Sequence, residues 1–295
     1  MNLFDLHCDT PTQCFCKNLA FDNNQTAVNE KSLKSFKRAV QICAIFTRDD
    51  AQNPFENYTK TLEFFKNNLT LPINDLSCDH TILLSCEGGS ILEGNLDRIH
   101  KLSKDGICTL SLTWNGENFL AGGALTDSGL KEKGRQAIKF LNQLNMALDL
   151  SHLNDKSFFD AIEVAKYPVA THSNSRFIKD NKRNLTDIQL KLIKGKDGLV
   201  GINFYPLFLN ENNVFDSIYL NIEHMLSLGL ENNIALGSDF DGGKMSKKLD
   251  CQWKLHDLYD FLSNMGIKEE ILNKIFYQNA MAFYKKLFDN NSSIV

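Results

Sequence analysis

Nowhere in its 295 residues does this chain gather an apolar run approaching the roughly 18 residues that a membrane helix needs; the longest, Ala39 to Phe46, is already interrupted by Gln41. The first residues, Met1-Asn2-Leu3-Phe4-Asp5, put an acid where a secretory signal carries its basic segment. No spanning segment is expected, and the cytoplasm is the expected location. Basic clusters are missing too. With 32 Lys and Arg against 36 Asp and Glu, a net charge of −4, neither nucleic acid nor an anionic membrane is an expected partner, which leaves small soluble molecules. There is no CxxC pair among the 8 cysteines: Cys14 and Cys16 form CxC, and no second close pair completes a four-cysteine zinc site. The cysteines read as reduced, small packing residues.

Also absent is the glycine-rich phosphate turn that follows the first strand of a doubly wound dinucleotide-binding sheet; the equivalent stretch reads Asp5-Leu6-His7-Cys8-Asp9-Thr10. No internal repeat appears. What recurs is an alternation of elements. Short β-branched or aliphatic runs occur at Leu3 to Cys8, Ala39 to Phe46, Thr81 to Cys86, Ile107 to Trp114, Ala147 to His152, Val169 to His172, Leu199 to Tyr205 and Ile234 to Asp239. Between them, Phe55, Tyr58, Leu62 and Phe65, and again Phe215, Ile218, Ile222 and Met225, step by three and four as one face of a helix does. Thr186 with Gln189 makes a capping-box start, and Gly106 and Gly229 stand where helices end.

The eight runs start about 33 residues apart on average, the size of a βα unit. Eight such units predict a closed (β/α)8 TIM barrel forming one domain over 1–295, with extra C-terminal helices over about 267–288 packing on its outside.

In a barrel, catalytic groups project from the carboxyl ends of the strands. Those ends carry His7 and Asp9, Glu87, His152, His172 and Asp239. The two-residue spacing of His7 and Asp9 puts both on one strand face, with Cys8 on the other. Three histidines and three carboxylates form a nitrogen and oxygen ligand set suited to zinc, manganese or iron. Glu87, followed by Gly88 and Gly89, has two oxygens and room to bridge two metals; the plainer reading is a cap or ion pair for the next helix. Asp241 is placed for loop hydrogen bonds, and His80, His100, His224 and His256 receive no role. Arg183, taken alone, reads as a solvated charge ahead of a helix.

Taken in order, DLHCDT, SCEGGS, LSLTWNGENFLAGG, DLSHLND, ATHSNSR, RNLTD, GLVGINF and GSDFDG run through almost the whole chain. Together they resemble the membrane (renal-type) dipeptidases of peptidase family M19, barrels of the metal-dependent amidohydrolase superfamily. The resemblance implies two zinc ions per chain, one held by His7 and Asp9, the other by His152 and His172, with Glu87 bridging. It also implies Asp239 as the proton-transfer residue, Arg183 as the grip on the substrate's terminal carboxylate, and a homodimer. The implied activity is hydrolysis of dipeptides to free amino acids by a metal-bridging hydroxide. The alternatives are another metal-dependent amidohydrolase, acting on a cyclic amide or N-acyl amino acid, and a catalytically idle binding barrel. Against the first, the bridging position holds Glu87 and no strand end offers the lysine that many such barrels carboxylate. One departure stands out: many members carry a substrate-contacting histidine where this chain has Trp114. Its indole can only donate a hydrogen bond, and Asn115 is the other candidate donor. Membrane attachment is not carried over from the mammalian members.

Overall fold

Strand β1 (Leu3–Cys8) pairs with β2 (Ala39–Phe46), and the order continues through β3 (His80–Glu87), β4 (Ile107–Ser111), β5 (Ala147–Asp149), β6 (Pro168–Ala170), β7 (Leu199–Ile202) and β8 (Ile234–Leu236). In this computed structural model, which describes residues 1–210 and 213–291, all eight strands are parallel, and Asp5 of β1 pairs with Leu236 of β8 to close the barrel. The expected eight-stranded (β/α)8 barrel is the observed one. Its helices form where the three-and-four spacing placed them, at Pro54–Asn67 and Val214–Ser227. The capping box is also present: Thr186 accepts from the Gln189 N–H and Gln189 reaches back to Thr186. Gly106 and Gly229 adopt positive φ just past helix ends.

Two expectations need correction. Several strands stop short: β5, β6 and β8 end at Asp149, Ala170 and Leu236 rather than at His152, His172 and Asp239, and β4 and β7 end at Ser111 and Ile202 rather than at Trp114 and Tyr205. Beyond those points side chains replace the ladder. Asp149 accepts from the backbone N–H of Ser151 and Thr171, Ser151 Oγ accepts from the His172 N–H, and Asp5 accepts from the Ser238 N–H. The chain can therefore turn outward at the mouth with its backbone groups still satisfied.

The second correction concerns the C-terminal helices. They do not merely coat the outside. One buried apolar cluster takes residues from all eight strands, among them Phe4, Val40, Leu83, Cys108, Ala147, Val169, Leu199 and Ala235, together with Tyr277, Ala280, Tyr284 and Leu287. Those strand residues lie toward the amino ends, so the last helix, Asn279–Asn291, closes the barrel floor. Tyr284 stacks on Phe4 at 5.4 Å, and its hydroxyl meets Thr109 Oγ1 at 3.0 Å. A second, larger cluster fills the layer between strands and helices. No helix among the described residues is long and apolar enough to cross a membrane.

Candidate metal centre and active site

With the floor closed, the carboxyl end of the barrel carries the polar chemistry. His7 from β1 and Asp9 one residue beyond it approach Glu87 at the end of β3: His7 Nε2 lies 3.4 Å from Glu87 Oε2 and 3.7 Å from Asp9 Oδ2. On the other side of Glu87, Oε1 is 2.5 Å from His152 Nε2 and 3.7 Å from His172 Nε2, and those two nitrogens are 2.8 Å apart. Glu87 thus faces both pairs through different oxygens and caps no helix. Cys8 points away, its Sγ 3.6 Å from that of Cys43. Asp239 Oδ1 is 3.9 Å from His7 Nε2, and its Oδ2 accepts from Asn203 Nδ2 at 3.0 Å. Asp241 does bond loops, accepting from Thr10 Oγ1 and the Ala27 N–H.

Close packing makes this possible. Asp239 holds a φ of +62°, rare outside glycine. A Cβ on Gly242 would stand 2.3 Å from Asp9 Oδ2 and 2.6 Å from Asp239 Oδ1, so only glycine lets the turn lie against both carboxylates.

The electrostatics follow from crowding like charges in a buried space. Burial and the Glu87 charge push the Asp9 carboxyl up to about 8 despite His7 beside it. Asp239 is pushed up to about 6, by burial first and Glu87 next, with His7, Asn203 and Arg183 pulling the other way. For Glu87 burial is outweighed by the His152 and His7 imidazoles, which hold it well below the usual carboxylate range. Burial and the neighbouring His7 and His152 drive His172 well below the ordinary imidazole value.

This donor set suits metal ions. His7 Nε2 and Asp9 Oδ1 are buried without a hydrogen-bond partner, a costly state for polar atoms unless something else engages them. Thr171 Oγ1 donates to Asp149 Oδ2 at 2.6 Å, so toward His172 it can only accept; the 2.8 Å contact therefore takes the Nδ1 proton and leaves Nε2 a free lone pair. Two metal-sized triads share Glu87: His7, Asp9 and Glu87, and Glu87, His152 and His172. A third combines His7, His172 and Asp239.

Arg183 overturns its surface reading. It is only 5% exposed, its Nη2 stands 3.2 Å from His152 Nε2, and its guanidinium lies 5.3 Å over the Phe208 ring. Its Nε and Nη1 have no partner. Trp114 is half-buried, edge-on to Phe46 at 5.3 Å and 6.5 Å from the His152 ring. Asn115 reaches His152 itself, at 3.0 Å. Sequence reasoning missed Asn203, Asp149 and Thr171, all polar residues in or beside apolar runs, a signal that an inventory confined to ionisable strand ends passes over.

A model of the family described as membrane dipeptidase, peptidase family M19, matches residues 1–293. The chain belongs to that family. Relatives include an uncharacterised dipeptidase of Schizosaccharomyces pombe, 29% identical over 80% of this chain and 60% of that protein. An uncharacterised Klebsiella pneumoniae protein from the pqqA 5′ region is 32% identical over 68% of this chain and 80% of its own. Among solved structures, a metallo peptidase from Rhodobacter sphaeroides, bound to a phosphinate mimic of the dipeptide L-Ala-D-Ala, superposes with a TM-score of 0.86 at 21% identity, covering 97% of this chain and 99% of that one. A dipeptidase described as an M19 metallo peptidase gives 0.87 at 22%, covering 97% and 98%. As an M19 member, the chain is an enzyme of the metallo-dipeptidase type with the shared barrel.

Proposed function

We propose that this M19 protein is a zinc-dependent dipeptidase that cleaves short peptides to free amino acids. The observation that carries the reading is Arg183: a buried guanidinium with two unpaired donors at the edge of a cluster of three histidines and three carboxylates. Such a group invites a carboxylate, and a substrate whose carboxylate must sit this close to the reacting centre is short.

His7 and Asp9 would hold one zinc, His152 and His172 the other, and Glu87 both. When bound, the pair would supply Lewis acidity and make water easier to deprotonate near neutral pH. The remaining work falls to side chains. Asp239, held through Oδ2 by Asn203 and 3.9 Å from His7 Nε2, is a carboxylate placed at the edge of the ligand set where it can both accept and return a proton. It takes the proton of the attacking water and delivers it to the leaving amine, so that water is added across the peptide bond. Arg183 Nε and Nη1 grip the terminal carboxylate. Trp114 and Phe46 offer an apolar wall to a substrate side chain, and the wall stands where many members place a histidine.

The test is a panel of L,L and L,D dipeptides, L-Ala-D-Ala included, given to zinc-loaded protein alongside tripeptides and N-acyl amino acids. Dipeptides should turn over, with little turnover of peptides lacking a free terminal carboxylate at that distance. Undiminished wild-type turnover after exhaustive chelation would sink the proposal.

A further inference from the structure

We infer that Asn115 is a positioning residue for His152 rather than a donor to substrate, and that Asp49, from the loop after β2, is the anchor that keeps it in place. The inference rests on the reading of His152 as a metal ligand.

Asn115 Oδ1 lies 3.0 Å from His152 Nδ1. Oxygen can only accept there, so the proton sits on Nδ1, and Nε2, on the side facing Glu87 Oε1 and His172 Nε2, keeps its lone pair for a metal. With the amide turned the other way, its NH2 would donate to Nδ1 and force the proton onto Nε2, which could then ligate nothing. His172 receives the same service from Thr171, one residue past β6, and Asp149, the last residue of β5. His152 has no such strand-borne partner, because Asn115 stands in a loop four residues past the end of β4.

That loop is pinned. The half-buried Asp49 carboxylate accepts from the Trp114 N–H at 3.2 Å and the Gly116 N–H at 2.8 Å, the two amides flanking Asn115, and from Asn118 Nδ2 at 3.3 Å. Bonds from backbone N–H groups to a carboxylate are among the stronger kinds. The far side of the loop is tied as well: Leu125 N–H donates to Asn115 O and Gly123 N–H to Gly116 O, while Ala124 N–H, between them, donates to the carbonyl of His152. The segment that grips the Asn115 backbone therefore also grips the His152 backbone, and it does so at close range, since a Cβ on Gly123 would stand 2.4 Å from Trp114 O. Ring and amide are held in one frame, and Asp49 is the side chain that ties down both amides flanking Asn115.

The experiment is a zinc titration against a chromophoric chelator, which needs no substrate. Wild type should take up two equivalents. Asn115→Leu, which keeps the size and loses the acceptor, should weaken one equivalent by about 10–100-fold and leave the other unchanged. Asn115→Asp, which keeps an acceptor oxygen, should restore it to within a few-fold, and this rescue keeps the test meaningful if the leucine variant folds poorly. Asp49→Ala should weaken the same equivalent as Asn115→Leu. If both Asn115 variants bind two equivalents as wild type does while kcat falls, Asn115 acts on substrate and the inference is overturned. A wild-type protein that takes up no metal takes down the functional reading and this inference together.

Discussion

At the amino end of the barrel Phe4, Val40, Leu83 and their neighbours pack around Tyr284, whose one polar atom is matched by Thr109. At the carboxyl end, His7, Asp9 and Arg183 leave buried polar atoms without partners, and Asp239 is held at positive φ. In that floor cluster one buried atom, the Tyr277 hydroxyl, lacks a partner, whereas at the mouth His7, Asp9 and Arg183 together leave four, although both ends are buried to a similar degree. Burial alone therefore does not mark a functional end; a concentration of unpaired polar atoms around buried titratable groups does. The floor is a packed apolar cluster, and the mouth holds its charges in place at a cost to stability.

The comparison can be broken at either end. The largest expected effect is at the mouth: Asp239→Asn should lower kcat by about 10²–10⁴-fold, the range for loss of a general acid or base, with zinc uptake and melting temperature close to wild type. A variant retaining full kcat would remove Asp239 from the proton path. Next, at the floor, Tyr284→Ala should cost about 3–5 kcal/mol of stability, as for other large-to-small core changes, read as the urea midpoint at constant slope. Turnover per folded molecule should stay unchanged; a loss of kcat without loss of stability would show that the two ends are not separable.

The smallest effect is proton linkage. Because Asp9 is pushed up to about 8, it carries a proton at pH 7 in metal-free protein and must lose it before binding zinc. Apparent zinc affinity should therefore fall as pH drops below about 8, by up to tenfold per unit for each proton displaced. Chelator competition at three pH values between 6 and 8 checks this, and a flat profile would contradict it.

Much of the barrel was legible because its signals are local. Alternating apolar runs and three-and-four spacing report which face of an element is buried, and a capping box such as Thr186 with Gln189 reports its own geometry. The strand ends were less legible. His152, His172 and Asp239 lie past their ladders because Asp149, Ser151 and Asp5 take over the backbone bonds, and such substitutions depend on partners distant in sequence. The sequence by itself determined the strand count, the parallel alternation and the residue types at the mouth, since each follows from composition within a dozen residues. Only the tertiary structure decided that Arg183 is buried with donors to spare, that the last helix plugs the floor, and that Asn115 meets a histidine ring. Those facts rest on contacts between residues 31 to 175 positions apart, which exist only once the barrel has closed.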